Sequence, residues 1–537
     1  MLIPTLLAEI FLRFGLRKSE VSFFEIFLFF KRRSINLSAS RFFFILSEPR
    51  ISQFVRVVFI LLYYSREEYF MESIINKIPK VVLSAYNTLK DKGYKVYLVG
   101  GGVRNLLMDI PVKDWDLSTN ATPDEITTLF KDSYYNNLFG TVGLPVDING
   151  TKSVIEITTF RSEGEYKDRR RPESVEWGKT IEDDLSRRDF TINAIALRFA
   201  PFDGSQDKQD KPSEVEFADP FNGRVDIKNK LIKAVGDPKK RFKEDALRLM
   251  RAVRIATQLS FTIDDATWKE IQNDAKLIRD ISGERIRDEL LKILGSENSY
   301  EGTIMLKDSG LLEEIIPELL EGEGISQARP GRHHTEDVLT HNLLSLKHSP
   351  TKNSIVRLAA LLHDVGKPKA LGKDEEGLVT FYNHEVAGAK IVKEIAQRLR
   401  LSKKETERIV TLVRWHMFTV DEKITDAAVR RFIRRIGVEN VTDMMDLRIG
   451  DRLGGGTQTA ESWRLKLFKK RVEKELSPKP FSIEDMAIDG NDVMKELGIK
   501  PGRRIGEILQ ALFEEVDEDL SKNTKEHLLQ RIKDLGK

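Results

Sequence analysis

Residues 94–117 read YKVYLVGGGVRNLLMDIPVKDWDL, and this stretch decides the fold of the segment around it. The β-rich run Tyr94–Val99 predicts a strand, the three glycines predict a tight turn, and the apolar pair at 106–107 begins a helix. This order is typical of an anion-binding site, because glycine lets the backbone approach a phosphate and the N–H groups at a helix start point at the phosphate. Three glycines also occur in many ordinary turns, so the interpretation depends on the residues downstream of the turn.

Two carboxylates come next, at Asp114 and Asp116. On a strand, residues i and i+2 point to the same face, so the two side chains face one way. Like charges this close repel each other without a cation, which favours a Mg²⁺ pair; a solvated strand edge is the alternative. A later predicted strand carries Glu156 on the face opposite Ile155 and Ile157. Glu156 would be the third carboxylate that two-metal nucleotidyl transfer uses, although an ordinary solvent-facing position is equally open.

A second group of metal-binding residue types lies further along the chain. Seven of the eight histidines fall between 333 and 416, and only His527 lies outside. Imidazoles and carboxylates at scattered helical positions form mixed N/O metal sites, where a metal-bound hydroxide could attack phosphorus. A single histidine is more often a core or surface residue, so the clustering carries the interpretation. The constellation is His341, His363-Asp364, His384, His416 and Asp451, whereas His333, His334 and His348 are left as structural or RNA-facing.

Composition limits the class of protein. The 537 residues suffice for three or four domains of about 150 residues each. With 40% hydrophobic and 32% charged residues, the composition is ordinary for a soluble protein and excludes wholesale disorder or a fibrous fold. The absence of cysteine excludes a disulfide scaffold, thiol catalysis and Cys-ligated metal sites. It fits a reducing compartment, and we expect a cytoplasmic protein.

The first 70 residues differ from the rest of the chain. They hold 13 of the 29 phenylalanines and ten Lys/Arg against six Asp/Glu, so the formal net charge of +3 becomes −1 for residues 71–537. No run there reaches the ~18 uninterrupted apolar residues of a spanning helix, and no clear signal-peptide cleavage site is present. We expect Met71 to be the native start and 1–70 a translated upstream region, with a membrane-associating extension as the alternative. No membrane contact is expected for 71–537.

Several motifs together resemble the class II tRNA nucleotidyltransferases, which are the CCA-adding enzymes and their bacterial poly(A) polymerase relatives. The resemblance rests on order and spacing and runs from about residue 80 to 320. The matching segments are VGGGVR at 99–104, DWD at 114–116, RRDFTINA at 187–194, DPFNG at 219–223, RFKEDALR at 241–248 and ERIRDEL at 284–290.

The resemblance implies a role for each matching residue. Asp114 and Asp116 correspond to the Mg²⁺-binding carboxylates, with Glu156 as the third catalytic one. The other implied roles concern the nucleotide: triphosphate contact by Gly101, Gly102 and Arg104, selection of ribose by Asp189 and Asn193, and reading of the base edge by Asp245 and Arg248.

The chemistry of Asp245 and Arg248 agrees with that last role. Arginine offers only donors and an ionised aspartate only acceptors, so together they can complement the mixed edges of cytosine and adenine. We predict that both lie on one helix at i and i+3, hence on one face. A surface salt bridge is the alternative. Asn105 departs from the family, which usually has Asp there, but Asn keeps hydrogen-bonding capacity and activity is still expected.

The segment LLHDVGK at 361–367 resembles the HD phosphohydrolase superfamily. The resemblance implies a divalent metal of unspecified identity and an action on 2′,3′-cyclic or 2′-phosphate ends as phosphodiesterase or phosphatase. The core ligands it implies are His341, His363, Asp364 and Asp451, joined in two-metal members by His384 and His416.

Basic clusters supply candidate contacts to the tRNA backbone, which an enzyme serving every tRNA reads by shape. Arg169 and Arg170 lie in a polar loop that, by the family resemblance, helps to switch from C to A addition. Arg430 and Arg434 lie at helical spacing further on, where a solvated helix face is the alternative.

The predicted fold class is α+β, with a mixed-sheet nucleotidyltransferase head followed by all-α neck, HD and tail regions. The expected activity is the addition of C, C and A to tRNA 3′ ends from CTP and ATP, with an HD-domain phosphodiesterase or phosphatase activity. Two alternatives stay open: a poly(A) polymerase or partial CC- or A-adding enzyme, and an HD phosphohydrolase whose head only binds RNA. The predicted segments are 1–70 (extension), 71–199 (head), 200–325 (helical neck with the templating and RNA-binding region), 326–455 (HD domain) and 456–537 (helical tRNA-binding tail).

Overall fold

One seven-stranded mixed sheet organises the first part of the chain. Its strand order is β3-β4-β5-β2-β1-β6-β7, in which β2 and β5 run parallel and all other neighbours run antiparallel. The strands are Val96–Val99 (β1), Trp115–Thr119 (β2), Tyr134–Asn136 (β3), Thr141–Ile148 (β4), Thr151–Thr159 (β5), Ala196–Phe199 (β6) and Val215–Ala218 (β7).

The structure is a computed structural model, and from Pro79 onward its described residues belong to one unit. The predicted extension 1–70 lies outside the described residues, as do Arg169, Arg170, His333 and His334. The described residues are 73–136, 140–161, 178–199, 215–327, 336–476 and 482–536.

Short helices flank the sheet, and local sequence explains where they begin. Thr122 caps the third of them by accepting from the backbone N–H of Glu125, whose side chain bonds back to Thr122, and Pro123 occupies the first turn. A capping box at Thr180 starts the fourth in the same way. These helices are Lys80–Asp91 (α1), Gly100–Leu107 (α2), Pro123–Leu129 (α3) and Ile181–Ser186 (α4).

The neck is helical, as the 3–4 spacing of its apolar residues predicts. The neck helix that begins at Asp265 ends at Asp274, and the chain continues as a 3₁₀ helix, Ala275–Asp280. The neck helices are Gly223–Asn229 (α5), Pro238–Glu244 (α6), Leu247–Leu259 (α7), Asp265–Asp274 (α8), Gly283–Leu294 (α9), Ser299–Asp308 (α10), Leu311–Ile315 (α11) and Pro317–Leu320 (α12).

The remaining described segments are also mainly helical. They contain Val338–Lys347 (α13), Ser354–Leu362 (α14), His384–Arg398 (α15), Lys403–Trp415 (α16), Asp426–Ile436 (α17), Val441–Gly454 (α18), Trp463–Glu475 (α19), Gly490–Leu497 (α20), Arg503–Glu518 (α21) and Lys525–Gly536 (α22). Two-residue ladders interrupt the helices of the neck and HD region: Leu231–Ile232 (β8) pairs with Thr262–Ile263 (β9), and Gly372–Lys373 (β10) with Val379–Thr380 (β11).

The hydrophobic core shows which regions are packed as one body. One buried apolar cluster runs from Phe190 through the neck helices to Val472 on α19. The final three helices have a separate cluster that includes Leu512 and Ile532. The HD region therefore shares its core with the neck, whereas the last helices enclose their own. No helix within the described ranges has the length and hydropathy needed to cross a bilayer.

Candidate active site and metal centre

The sheet brings two of the three predicted catalytic carboxylates side by side. Asp116 on β2 is the register partner of Glu156 on the parallel strand β5. Glu156 is exposed between the fully buried Ile155 and Ile157, as its alternation predicts. Asp114 immediately precedes β2 and is exposed. Because register partners share a face of the sheet, the carboxylates of Asp116 and Glu156 face the same side.

The glycine turn lies directly against this carboxylate pair. Gly100 has φ +74°, and a Cβ there would lie 2.9 Å from Arg188 Nη1 and 3.1 Å from Asp116 Oδ2. A Cβ at Gly102 would lie 3.3 Å from the carbonyl oxygen of Asp114. Gly100 needs glycine on conformational grounds because of its positive φ, and a Cβ at Gly102 would crowd the backbone of Asp114. The three glycines form the first turn of α2, which ends at Leu107, so the prediction that a helix begins at 106–107 is wrong. This first turn lies beside both aspartates.

Burial and like charges control the ionisation of Asp116. Burial raises the pKa of Asp116 to about 6, and the nearby carboxylates of Glu156 and Asp114 add to that rise against the opposing charge of Arg188. Arg188 in turn donates from Nη2 to Asp184 Oδ2 at 3.0 Å. A bound cation would relieve the mutual repulsion of these carboxylates, so the donor set is chemically suited to Mg²⁺.

Behind the turn, the predicted ribose-selecting residues form a buried network with Arg104. Asp189 Oδ2 accepts from Arg251 Nε at 2.8 Å and Nη2 at 2.6 Å, and Asp189 Oδ1 accepts from Asn193 Nδ2 at 3.0 Å. Asn193 Oδ1 accepts from Arg104 Nη1 at 2.7 Å. Asn105 Oδ1 accepts from Arg104 Nη2 at 2.8 Å. The amide of Asn105 thus keeps the hydrogen bond that its position needs.

Charge compensation explains the protonation states in this network. Burial alone would raise the pKa of Asp189, but the charge of Arg251 and the bond from Asn193 outweigh it and hold the pKa well below the usual range. Burial lowers the pKa of Arg104 to about 10 against the opposing effect of Asp189. Sequence reasoning missed Arg251. Its only signal was its position on α7, one turn beyond Arg248.

The predicted templating pair does not share a helix, so that prediction is wrong. Asp245 lies between α6 and α7 with extended backbone, φ −143° and ψ 102°. Its Oδ1 accepts from the backbone N–H of Leu247 at 3.1 Å, which is how aspartate typically starts a helix, and this local bond competes with helix continuation. Asp245 Oδ2 accepts from Arg285 Nη2 at 2.8 Å.

Arg248 is held by other partners. Its Nη1 donates to Glu244 Oε2 at 2.5 Å and to the carbonyl oxygen of Arg241 at 2.8 Å, and its Nη2 donates to the carbonyl oxygen of Arg187 at 3.0 Å. Asp245 and Arg248 are thus bonded to different neighbours in this structure. Arg285 and Glu244, which orient them, belong to the ERIRDEL and RFKEDALR motifs but were assigned no role from the sequence.

In the HD region, six predicted residues from separate helices converge. His341 Nε2 lies 3.1 Å from His363 Nε2, and His384 Nε2 lies 3.3 Å from His416 Nε2. Asp364 lies between these two histidine pairs. Its Oδ2 is 3.3 Å from both His341 Nε2 and His363 Nε2, and its Oδ1 is 3.2 Å from His384 Nε2 and 3.6 Å from His416 Nε2. The side chains form two candidate metal-binding groups that share Asp364.

Backbone bonds orient three of these imidazoles. The Nδ1 atoms of His363, His384 and His416 each lie 2.8 Å from the carbonyl oxygen three residues earlier, of Ala360, Phe381 and Val413 respectively. An Nδ1–H that donates to a carbonyl leaves the Nε2 lone pair facing the centre, which is the tautomer that binds metals. The donor set and its orientation therefore fit a divalent metal centre.

Asp451, the remaining predicted ligand, approaches the first histidine pair. Its Oδ1 lies 3.3 Å from His341 Nε2 and 3.7 Å from His363 Nε2. Burial would lower the pKa of His341, but the carboxylates of Asp364 and Asp451 outweigh it and raise the pKa to about 9. At neutral pH, without a metal, the carboxylates attract a proton to the place where a cation would bind.

The predicted RNA-binding residues Arg430 and Arg434 are engaged within the protein. Arg430 is only 4% exposed and donates from Nε to Asp517 Oδ1 at 2.7 Å and from Nη1 to Glu475 Oε2 at 2.9 Å. Arg434 Nη2 also pairs with Asp517. These bonds tie α17 to α19 and α21, so both arginines pair with carboxylates of the protein, and their role as phosphate contacts stays a prediction.

Comparison with known proteins agrees with this arrangement. The poly(A) polymerase head domain matches residues 96–233, the probable RNA- and SrmB-binding site of polymerase A matches 260–322, and the HD domain matches 332–467. The A-adding tRNA nucleotidyltransferase of Deinococcus radiodurans is 33% identical over 430 residues, covering 78% of this chain and 90% of that enzyme. The chain belongs to the tRNA nucleotidyltransferase family.

Further members of the tRNA nucleotidyltransferase family match over most or part of their length. The CCA-adding enzyme of Limosilactobacillus reuteri is 31% identical over 469 residues, covering 86% of this chain and 99% of that enzyme. That of Lactobacillus helveticus is 41% identical over 245 residues, which span 45% of this chain and 57% of that enzyme. The solved CCA-adding enzyme of Bacillus stearothermophilus in complex with CTP has a TM-score of 0.59 at 25% identity, covering 84% of this chain and 96% of that one. The predicted family and fold class are confirmed.

Proposed function

We propose that this chain is a cytoplasmic nucleotidyltransferase that adds C, C and A to tRNA 3′ ends from CTP and ATP. The observation that carries the proposal is the placement of Asp116 and Glu156 as register partners, with Asp114 and the Gly100 turn beside them. The names of the relatives support tRNA as substrate. Because one extensive match is an A-adding enzyme, partial addition of A is the alternative.

In the head, Asp114 and Asp116, with Glu156, would hold Mg²⁺, which supplies charge neutralisation for the triphosphate and activation of the tRNA 3′ hydroxyl. The chain's own residues position the reactants. The glycine turn lets the triphosphate approach the start of α2, whose free N–H groups favour an anion. The buried network of Arg104 holds that turn against the segment carrying Asp189.

Selection of the base would use Asp245 and Arg248. Each has one strong ionic partner here, Arg285 for the aspartate and Glu244 for the arginine. Reading a base edge requires donor and acceptor atoms to turn from these partners toward the nucleotide, so Arg285 and Glu244 would act as positioning residues. Because both partners lie on the protein, the pair stays oriented before a nucleotide enters.

For the HD region we propose a phosphodiesterase or phosphatase that acts on phosphate at RNA ends. Asp364 and the two histidine pairs, His341 with His363 and His384 with His416, would hold the divalent metals. Mixed imidazole and carboxylate donors suit a transition metal such as Mn, Fe, Ni, Co or Zn better than Mg²⁺. Such a metal supplies a hydroxide nucleophile at neutral pH.

One assay separates the alternatives for the head. Three tRNA substrates, lacking CCA, CA or A at the 3′ end, are incubated with CTP alone, ATP alone or both. The proposal predicts three added residues on the shortest tRNA when both nucleotides are present. Nucleotide addition only to the tRNA that lacks A indicates an A-adding enzyme, and a long A tail indicates a poly(A) polymerase. No addition to any of the three tRNAs contradicts transferase activity.

Two substitutions test whether the sites are separate. Asp116→Ala should abolish incorporation and spare hydrolysis of 2′,3′-cyclic phosphate ends, because the carboxylate lies in the head. Asp364→Ala should do the reverse, because it removes the carboxylate shared by both histidine pairs. If either substitution abolishes both reactions while the chain stays folded, the two-site proposal is wrong.

A further inference from the structure

The HD centre contains a cation whose position the proposed activity does not explain. Arg448 lies on α18 one turn before Asp451, and its Nη1 is 3.0 Å from Asp451 Oδ2. Asp451 Oδ1 points the other way, toward His341 Nε2 at 3.3 Å. The two oxygens of one carboxylate are thus divided between the histidines and an arginine.

The guanidinium of Arg448 is braced from a second side. Its Cζ lies 5.6 Å from the ring centroid of Phe418, whose backbone N–H donates to the carbonyl oxygen of His416. Phe418 packs on Phe468 at 5.4 Å, so its ring belongs to the core of α17 and α19. Arg448 is therefore held between the helix that carries Asp451 and the segment just after a ligand of the other histidine pair.

Asp364, the other carboxylate at the HD centre, also pairs with a nearby cation. Lys367, one turn after Asp364, donates from Nζ to Asp364 Oδ2. Each of the two carboxylates at the centre thus pairs with a cationic side chain three residues away in the sequence. Arg448 differs from Lys367 because it bonds to the oxygen that faces away from the histidines and leaves Asp451 Oδ1 directed at them.

We propose that Arg448 is a positioning residue for the HD metal centre, which turns Asp451 Oδ1 toward His341 and His363 so that it can serve as a ligand. The proposal rests on the metal centre proposed above. Partners that orient ligands from outside the coordination sphere typically affect metal affinity by about 10- to 100-fold. Arg448 bonds to Asp451 Oδ2, whereas the contacts with His341 and His363 are made by the other oxygen, Oδ1.

The direction in which metal affinity changes when Arg448 is replaced distinguishes an orienting role from a purely electrostatic one. Removal of a nearby cation strengthens the binding of a divalent metal by electrostatics alone. Loss of the orienting bond weakens it. We expect the bond to dominate, because Arg448 donates directly to the oxygen of Asp451 that faces away from the histidines, and loss of such orienting partners typically weakens metal binding.

The test is calorimetric titration of Mn²⁺ into the full chain after chelator treatment, with the Asp364→Ala chain titrated in parallel to identify binding elsewhere. Arg448→Met should weaken the Asp364-dependent binding about 10- to 100-fold. Arg448→Lys should restore most of it, because the observed contact is a single bond that an ammonium can also donate. Unchanged or tighter binding in Arg448→Met, or no recovery in Arg448→Lys, overturns the proposal.

The matched control is Arg408→Met. Arg408 pairs with Asp443 on the same helix, α18, with 28% and 12% exposure of the two side chains, close to the Arg448 pair. Arg408→Met should lower thermal stability without changing Mn²⁺ affinity. If it lowers Mn²⁺ affinity as much as Arg448→Met does, any arginine paired with this helix has the same effect, and the assignment of Arg448 is overturned. If wild type binds Mn²⁺ as expected but hydrolyses no phosphate ester, the proposed activity fails while the role of Arg448 stands.

Discussion

Asp184 offers a quantitative test of how the head holds its active-site arginine. The carboxylate is fully buried, and it accepts from Arg187 Nε at 3.0 Å and from Arg188 Nη2 at 3.0 Å. Burial alone would raise the pKa of Asp184, but Arg188 and Arg187 outweigh it and lower the pKa to about 2. The substitution Asp184→Asn keeps the shape of the side chain and removes this charge.

The expected cost can be worked out from the pKa shift. The pKa falls from 3.8 to about 2 on folding, and each unit is worth about 1.4 kcal/mol, so the charge contributes about 2 kcal/mol to the free energy of unfolding. Because the pKa is lower in the folded state, that contribution is complete above pH 4 and disappears as the pH falls toward 2. Both arginine side chains are about one-fifth exposed, so solvent screens only part of the interaction.

Urea unfolding of wild type and Asp184→Asn, measured from pH 7 to pH 2, tests this reasoning. The difference in unfolding free energy should be about 2 kcal/mol at pH 7 and should shrink toward zero near pH 2. Nucleotide incorporation should fall as well, since Arg188 beside Asp116 loses its anchor. A difference that stays constant over the pH range would refute the ion-pair explanation, as would the absence of any difference at pH 7.

Three further substitutions test other parts of the structure. Gly100→Ala should lower the free energy of unfolding by about 1–2 kcal/mol, because an L-residue is strained at φ +74°. The rate of nucleotide incorporation should fall by more than this loss of stability explains. Thermal unfolding measures the stability, and single-turnover incorporation measures the rate. Gly366→Ala should abolish hydrolysis and spare incorporation, because its Cβ would lie 2.1 Å from the carbonyl oxygen of His384; parallel assays of both reactions decide. Arg430→Met should lower the unfolding free energy by about 3 kcal/mol, because Asp517 loses one of its partners. If the variant instead loses tRNA binding without becoming less stable, that result supports the predicted RNA-binding role of Arg430.

Motif reading predicted candidate reacting groups because their chemistry demands particular residue types at short spacing. Two aspartates two residues apart, three consecutive glycines and an adjacent His-Asp pair are all local patterns in the sequence. The alternation around Glu156 correctly predicted its exposed face, since a strand side chain can only point to one of two sides. The prediction that Asp245 and Arg248 share one helix failed, because Asp245 has extended backbone and its side chain accepts from the N–H of Leu247 at the start of the next helix.

The partners of those groups were not readable from the motifs. Arg251 reaches Asp189 across 62 positions of sequence, and Arg430 reaches Asp517 across 87, so no local spacing connects either pair. Whether an arginine binds a phosphate or a carboxylate of its own chain depends on which distant helix packs against it. Residue types and spacing were thus sufficient to indicate the family and, through it, the α+β architecture, and they predicted the candidate reacting groups. Folding alone assigned each charge its partner, because the free energy of an ion pair depends on distance and burial in three dimensions.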